Sequence, residues 1–156
     1  MTDLHHDPAN SPLGDRVTVT LHLLVDRLDA FADQHLRSRF GMTYSQFMVL
    51  AVLAGIQRPG HPDLTELAEC LHITKAAVSK RLPSFVAAGW VRTMPDPADA
   101  RRLVVALTDD GLDLVVRATA DLDESFTDLF DDAEFDLGAL HRDLGTLLAL
   151  LDQKGT

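Results

Sequence analysis

The chain has 156 residues, 46% of them hydrophobic, so it is long and apolar enough to form a core and is not a disordered chain. Its formal net charge of −10 at pH 7 argues at first against a nucleic-acid partner. One cysteine, Cys70, excludes an intrachain disulfide and a cysteine-built zinc site, and the sequence contains neither an apolar run of membrane-spanning length nor a signal peptide. We expect a cytoplasmic protein.

The first part of the chain predicts a tail and two helices. Residues 1–13, which include Pro8 and Pro12, are expected to form a flexible tail. From residue 14 to about residue 39, apolar residues recur at spacings of three and four and predict a helix with a wide apolar stripe. Thr43 and Gln46 form a capping-box pattern that begins a second helix, and residues 55–62 predict a loop.

Two short helical patterns joined by a tight turn come next. The first carries an apolar stripe, with Asp63 or Thr65 available as N-cap: Leu64, Leu67, Ala68 and Leu71. The second begins after Thr74, a natural N-cap, ends at Gly89, and has its own stripe: Val78, Leu82, Phe85 and Val86. Its outward side carries small, hydroxyl and cationic residues: Lys75, Ala76, Ser79 and Lys80, with Arg81 next to them. This mixture suits a helix that enters a major groove.

A β-hairpin is predicted directly after these helices. Residues 90–94 and 103–107 are apolar and β-branched runs, and the polar segment between them is too long for a two-residue turn. Arg101 and Arg102 at its tip are placed to reach phosphates or a narrow minor groove. Residues 64–108 therefore predict a winged helix-turn-helix, a DNA-reading unit.

The last third predicts two acidic, leucine-rich helices. Thr108 caps the first, with Asp109 and Asp110 at the positive end of the helix dipole, and Asp131 or Asp132 is expected to begin the second. The predicted stripes contain Leu112, Val115, Thr119, Leu122, Phe126 and Leu129, then Phe135, Leu140, Leu144, Leu147, Leu148 and Leu151. We expect these helices to pack with the first helix and with the same helices of another subunit, because so extended a pair has no body of its own to cover it.

The distribution of charge gives an independent test of DNA binding. No Asp or Glu occurs between residues 70 and 95, although the chain has 24, and Lys75, Lys80, Arg81 and Arg92 all lie in that window. Residues 61–108 carry six basic and five acidic side chains, net +1, whereas residues 109–156 carry three basic and thirteen acidic, net −10. A Debye length of ~8 Å at physiological salt screens the distant acid, so the local basic face can act, with modest non-specific affinity.

In this order the elements resemble the MarR family of bacterial transcription regulators, over roughly residues 15–152. The segments that carry the resemblance are Met42-Thr43-Tyr44-Ser45-Gln46-Phe47-Met48-Val49-Leu50, the helix-turn-helix of residues 64–90, Asp96-Pro97-Ala98-Asp99-Ala100-Arg101, and Leu107-Thr108-Asp109-Asp110-Gly111. The wing segment is specific, whereas a helix-turn-helix alone is a weak signal.

The resemblance implies a mainly α fold with a small β-hairpin wing, in which a winged helix-turn-helix lobe (residues 41–108) joins a helical dimerisation arm (residues 14–40 and 109–152). It implies a homodimer that reads a pseudo-palindromic operator in double-stranded DNA, with Arg101 in the minor groove and Asp99 orienting it. The predicted DNA contacts are Thr74, Lys75, Ala76, Ser79, Lys80, Arg81, Arg101 and Arg102. It also implies a repressor released by a small ligand, which the apolar residues between arm and lobe suggest is hydrophobic or aromatic.

Two residues depart from the family pattern. Pro83 stands inside the predicted recognition helix, where it removes a backbone hydrogen bond, clashes with the carbonyl of Ser79, and is expected to cost ~3 kcal/mol or bend the helix. Ala100 replaces the first of two arginines often found after Asp99, while Arg102 adds one a residue later. These changes affect the operator and the affinity rather than the mode of binding.

Other readings of the sequence were weighed. Cys70 could be a peroxide-sensing thiol, but its place near an apolar stripe favours an inert packing residue, and the scattered histidines do not indicate a zinc site. Trp90 is expected to anchor the core under the hairpin. The chain has no Gly-rich phosphate loop, nucleophile elbow or ligand cluster, so neither an enzyme nor a cofactor is indicated. The remaining alternative is a winged-helix interaction module that has lost DNA binding.

Overall fold

The computed structural model describes residues 16–56, 61–131 and 136–154, and within these ranges it contains six helices and one β-hairpin. In chain order they are α1 (Val17–Phe40), α2 (Tyr44–Gly55), α3 (Leu64–Cys70), α4 (Lys75–Ala87), β1 (Val91–Pro95), β2 (Leu103–Leu107), α5 (Asp109–Asp131) and α6 (Leu137–Lys154). The predicted class, mainly α with a small hairpin, is confirmed. The expected tail, residues 1–13, lies outside the described residues.

Side-chain caps begin the helices that lead into the hairpin. Thr43 and Gln46 form the predicted capping box of α2. Asp63, not Thr65, caps α3: its Oδ1 accepts hydrogen bonds from the amides of Thr65 and Glu66, and the Glu66 side chain reaches back to the Asp63 amide. Each cap satisfies amides that have no partner inside the helix, so these starts could be read from the sequence.

The turn between α3 and α4 uses a residue that sequence patterns do not single out. His72 has φ +52°, and the amides of His72 and Ile73 bond back to the carbonyls of Glu69 and Ala68. These two bonds form a Schellman motif with histidine at the left-handed position, where glycine is usual. Thr74 then caps α4 by accepting from the amide of Ala77. The sharp reversal sets α4 across α3.

A second Schellman motif joins α4 to the hairpin. Gly89 has φ +76°, its amide bonds to the carbonyl of Val86, and the Trp90 amide bonds to the carbonyl of Phe85. The rings of Phe85 and Trp90 lie 6.2 Å apart, which supplies the apolar contact typical of this motif. The predicted role of Trp90 as an anchor beneath the hairpin agrees with this contact.

The hairpin is built into the core through its second strand. β1 and β2 pair antiparallel from Val91 opposite Leu107 to Pro95 opposite Leu103. Four successive residues of β2, from Val104 to Leu107, are buried, so both of its faces are covered. On its other edge the amide of Val105 donates to the carbonyl of Pro62, 2.9 Å away, and Asp63 bridges to Val104. The hairpin is therefore held along the middle of β2 by the segment that precedes α3.

The structure corrects several predicted core positions. Val86, Leu112 and Thr119 are exposed, whereas Leu114 and Ala118, which the sequence reading left out, are buried on α5. The buried face of α5 begins at Gly111, one residue before the predicted Leu112, because Gly111 lies against the backbone of Trp90. Cys70 is exposed at the end of α3, so the prediction that it packs in the core is wrong.

Helices α1 and α5 are joined by a polar cluster. Asp121 on α5 lies 2.5 Å from Nε2 of His35 and accepts a 2.5 Å hydrogen bond from Arg39, both on α1. The hydrogen bond to His35 lowers the pKa of the Asp121 carboxyl, and Arg39 adds to this against the opposing effect of desolvation. The carboxylate is thus held in its charged form between the two helices.

The chain divides into two compact units, one up to Leu122 and one from Asp123 onward. The core described above lies in the first. The second contains the end of α5, where Phe126 and Phe130 stack, and α6. α6 begins at Leu137, where the amide of Ala139 bonds to the Asp136 side chain, so the predicted start at Asp131 or Asp132 is wrong. α5 extends through Asp131, and both Asp132 and Phe135 lie outside the described residues. No residue of α6 is buried.

Candidate nucleic-acid interface

The outward face of α4 collects most of the residues predicted to meet DNA. Val78, Leu82 and Phe85 are buried and fix which side of the helix faces the core. Five of the predicted residues lie on this side of the helix. One is the N-cap, and the other four fall within an arc of about 140° when each residue turns the helix by about 100°. They are Thr74, Lys75, Ala76, Ser79 and Lys80, and all are exposed. The face is cationic, small and hydroxyl-bearing, as the sequence indicated.

Arg81 and Pro83 occupy different places from those the sequence suggested. Arg81 is half-buried and falls almost opposite the centre of the outward face, so the structure does not group it with Lys75 and Ser79. Pro83 is exposed and falls near the centre of that same face, one turn after Ser79. α4 continues through Pro83 to Ala87, so the proline does not end the helix.

The tip of the hairpin is ordered by its own aspartates. The amide of Asp96 bonds to the carbonyl of Arg102, and the Asp96 side chain accepts from the amide of Ala98. Asp99 acts in the same way: its Oδ1 accepts from the amide of Arg101 at 3.0 Å. Asp99 therefore holds the backbone of Arg101, and its role in orienting the Arg101 side chain toward DNA stays a prediction. Arg101 is exposed and, within the part of the chain that the structure describes, has no ion-pair partner.

The second tip arginine is engaged with acidic side chains. Arg102 Nε donates to Oδ2 of Asp63 at 2.6 Å, and its terminal nitrogens lie 3.4 Å from Glu66 Oε2 and 3.7 Å from Asp96 Oδ2. Partial burial would raise the pKa of the Asp63 carboxyl, but the hydrogen bonds from Glu66, Arg102 and Thr65 outweigh it, so that pKa lies below its usual value. The hydrogen bond to Asp63 raises the pKa of Arg102.

The sequence reading did not include every residue of this surface. Arg92 was noted in the acid-free window but not counted as a contact, and it is exposed on β1, opposite Ala106. The absence of Asp and Glu between residues 70 and 95 is the sequence signal that could have added Arg92 to the predicted contacts. Asp63 was predicted only as a cap, and its pairing with Arg102, 39 residues away, has no signal in the sequence.

The other sites considered are not assembled. In residues 16–56, 61–131 and 136–154 no three His, Cys, Asp or Glu side chains are grouped so that they could hold a metal ion. No helix of these same ranges is long and apolar enough to cross a bilayer.

Comparisons with known proteins bear on this arrangement. Residues 40–102 match the model of the MarR family. The HTH-type transcriptional regulator PecS of Dickeya dadantii (strain 3937) is 29% identical over 107 residues, which cover 69% of this chain and 62% of PecS. The multiple antibiotic resistance protein MarR of Escherichia coli (strain K12) is 30% identical over 91 residues, which cover 58% of this chain and 60% of that protein. Residues 40–102 are therefore a MarR-family segment of this chain.

The solved structures agree with this membership at the level of fold. The S. aureus MepR–DNA complex superposes with a TM-score of 0.72 at 23% identity, covering 88% of this chain and 97% of MepR. The matches to the two curated relatives span about 60% of their length. The winged-helix fold is the fold of these solved structures. PecS is described as a transcriptional regulator and not as an enzyme.

Proposed function

We propose that this chain is a transcription regulator that binds double-stranded DNA as a homodimer, acts in the cytoplasm as a repressor, and reads a pseudo-palindromic operator. The observation that carries the proposal is the exposed face of α4, with Lys75, Ser79 and Lys80, in the same winged lobe as the exposed Arg101. A helix of this composition presents donors to base edges, and an arginine at a wing tip is suited to a narrow minor groove. The similar MepR is known bound to DNA.

Dimerisation is supported by apolar surface that each unit leaves uncovered. Leucines of α6 fall within an arc of about 100° on one side of the helix, and none of them is buried: Leu137, Leu140, Leu144, Leu147, Leu148 and Leu151. In the first unit Val17 and Val25 near the start of α1 are 68% and 53% exposed. Exposed apolar surface of this extent is typical of a helix that packs against a partner, and a second copy of the chain is the partner we propose.

Fluorescence anisotropy with the chain's own upstream DNA, repeated over a range of salt concentrations, tests the proposal. Arg101→Ala is expected to weaken binding and to lower the slope of log affinity against log salt by about one, because one phosphate contact is lost. Arg117→Ala, an exposed arginine of α5 outside the lobe's outward face, is the matched control and should leave binding unchanged. Binding that is absent, or equal on a scrambled duplex, would favour the interaction module over the regulator.

Release of the DNA by a small hydrophobic or aromatic effector stays a prediction. The apolar majority of residues on α1, α2 and α5 favours a ligand of that chemistry. A ligand that binds the folded chain raises its melting temperature in proportion to the logarithm of concentration. A thermal-shift screen of aromatic acids and phenols, followed by anisotropy on the operator, would identify one.

A further inference from the structure

Arg102 meets three carboxylates that come from two different parts of the lobe. Asp63 and Glu66 belong to the start of α3, and Asp96 belongs to the hairpin tip. The Asp63 and Asp96 side chains are only 16% and 13% exposed, so the guanidinium closes over groups that water reaches poorly. We refer to Arg102 and these three acids as the wing clasp.

The wing clasp fixes the hairpin tip to the helix that supports α4. The middle of β2 is already held by the backbone bond from Val105 to Pro62, and the clasp adds a second attachment closer to the tip. Two attachments along one side of a hairpin restrict its swing more than one does, because a single attachment leaves the tip free to pivot. Since Asp63 is also the N-cap of α3, the clasp ties the tip to the start of that helix.

We propose that Arg102 is a positioning residue that holds the wing, and with it Arg101, at a fixed distance from α4, and that it is not itself a phosphate contact. The proposal rests on the proposed function, because it concerns how that surface is held. A phosphate brought to Arg102 would also approach Asp63, Glu66 and Asp96, whose negative charges would oppose it. Arg101 is exposed, and its side chain forms no ion pair within the described residues, since Asp99 bonds to its backbone amide.

Neutralising each partner of the clasp separates positioning from direct contact. Arg102→Gln is expected to weaken DNA binding about two- to fivefold, the effect of losing a partly exposed ion pair, with the salt slope unchanged. Loss of a phosphate contact would instead lower the slope by about 0.9. A slope that falls by that amount in Arg102→Gln would overturn the proposal.

Asp63→Asn is expected to weaken DNA binding if Asp63 holds Arg102 in place, and to strengthen it if Asp63 only repels DNA. The asparagine side-chain oxygen can still cap α3, but its amide nitrogen cannot accept from Arg102. We expect binding to weaken about two- to fivefold, as in Arg102→Gln, and the double variant to be no weaker than either single one. If Asp63 merely repels DNA, its neutralisation would strengthen binding, and the proposal would be wrong.

Asp113→Asn and Arg117→Gln are the matched controls. Arg117 Nε donates to Asp113 Oδ2 at 2.8 Å, the same pair of atoms as in the clasp, but within the single helix α5. Both variants are expected to bind DNA like the unaltered chain. A similar loss in both controls would attribute the effect to the loss of any ion pair of this kind and contradict a role for the clasp.

Hydrogen exchange without DNA tests the clasp independently of the proposed function. The tip amides of Asp96, Ala98 and Arg102 are hydrogen-bonded, and they should exchange about two- to fivefold faster in Arg102→Gln and in Asp63→Asn. Unchanged tip exchange would refute the clasp even if the chain binds DNA. Faster exchange in a chain that does not bind DNA would refute the proposed function and leave the clasp supported.

Discussion

Gly111 is the residue at which the backbone tolerates least change. A Cβ built there would lie 2.0 Å from the carbonyl oxygen of Trp90, and that oxygen is also the acceptor of the Thr108 amide. The glycine lets the first turn of α5 approach the residues that follow α4. Thr108 can then cap α5 by accepting from the Gly111 amide, and its hydroxyl donates to the carbonyl of Gly89. A methyl group must push these segments apart.

We therefore predict that Gly111→Ala lowers the free energy of unfolding by about 1–3 kcal/mol, the usual cost of overpacking. Urea denaturation followed by circular dichroism measures it. Gly145→Ala is the control, because a Cβ at Gly145 meets no atom within 4 Å and alanine favours a helix, so that variant should gain up to about 1 kcal/mol. Equal effects at the two positions would show that the close approach to Trp90 does not govern stability.

Asp121 predicts a dependence of stability on pH. Because His35 and Arg39 lower its pKa below the ordinary 3.8, the unfolded chain takes up a proton first as the pH falls. The stabilisation is therefore complete above about pH 4 and is lost as the pH falls through the lower pKa of the folded state.

Asp121→Asn should accordingly be less stable than the unaltered chain at pH 7, and by a smaller margin at pH 3. Urea midpoints at the two values measure this. Asp113→Asn, which breaks only the exposed pair with Arg117 inside α5, should change the midpoint less at pH 7. A deficit in Asp121→Asn of the same size at both values would contradict the assignment.

The residue roles that could be predicted from the sequence are those in which a side chain bonds to a backbone amide a few residues away. Thr43, Asp63 and Thr74 cap helices whose amides lie two or three residues away, so sequence spacing was enough to find them. Asp63 to Arg102 and Asp121 to His35 span 39 and 86 residues, and only the folded chain brings them together. His72 belongs to the second group, since its positive φ follows from the turn geometry and not from its residue type.

At the scale of elements, α4 contains a proline that it does not need for folding. Pro83 lies in the interior of Lys75–Ala87, and without an amide hydrogen it leaves the carbonyl of Ser79 without its usual helical partner. The helix nevertheless continues, because Val78, Leu82 and Phe85 on its other side are buried in the core. Tertiary packing thus overrides the local preference.

Pro83→Ala is predicted to raise the free energy of unfolding by up to about 3 kcal/mol, the difference in helix propensity between the two residues. Chemical denaturation measures the gain, with Val86→Ala, another exposed position of α4, expected to change stability by less than about 0.5 kcal/mol. A destabilised Pro83→Ala would mean that the helix is built around the proline. Anisotropy on the operator would then show whether this face of α4 depends on it.

Periodicity identified the helices but not always their buried faces. For α4 three of four predicted core residues are buried, whereas for α5 the true face is set by Gly111 against Trp90 and runs through Leu114 and Ala118. A spacing of three or four fits more than one stripe on a long helix, and the choice between them depends on what the neighbouring element presents. The late start of α6 has a local reason, because the side chain of Asp136 accepts from the amide of Ala139 and caps the helix there.

At the scale of the whole molecule, charge and apolar surface are divided along the chain. Residues 61–108 of the lobe are close to neutral in net charge. Because Arg102 is paired with acidic side chains there, this segment presents fewer free cations than its sequence count implies. Residues 109–156 carry a net charge of −10 together with the uncovered leucines of α6. An acidic segment repels DNA, which favours its use in joining subunits rather than in reading the duplex.

The leucine stripe of α6 therefore allows a prediction about assembly. Leu147→Glu combined with Leu151→Glu places two charges on the stripe, and burying them against a second copy is costly, so sedimentation should show a monomer. Leu150→Glu is the matched control: Leu150 is 49% exposed and falls about 110° from the centre of the stripe, so it should leave the dimer intact.

DNA binding should change together with assembly. A dimer that engages two half-sites gains effective concentration for the second contact, so the monomeric variant should bind the operator about 10²- to 10⁴-fold more weakly, while its lobe remains folded by circular dichroism. A double variant that stays dimeric would place the subunit contact elsewhere. One that becomes monomeric yet binds the operator undiminished would show that a single winged lobe is sufficient for recognition.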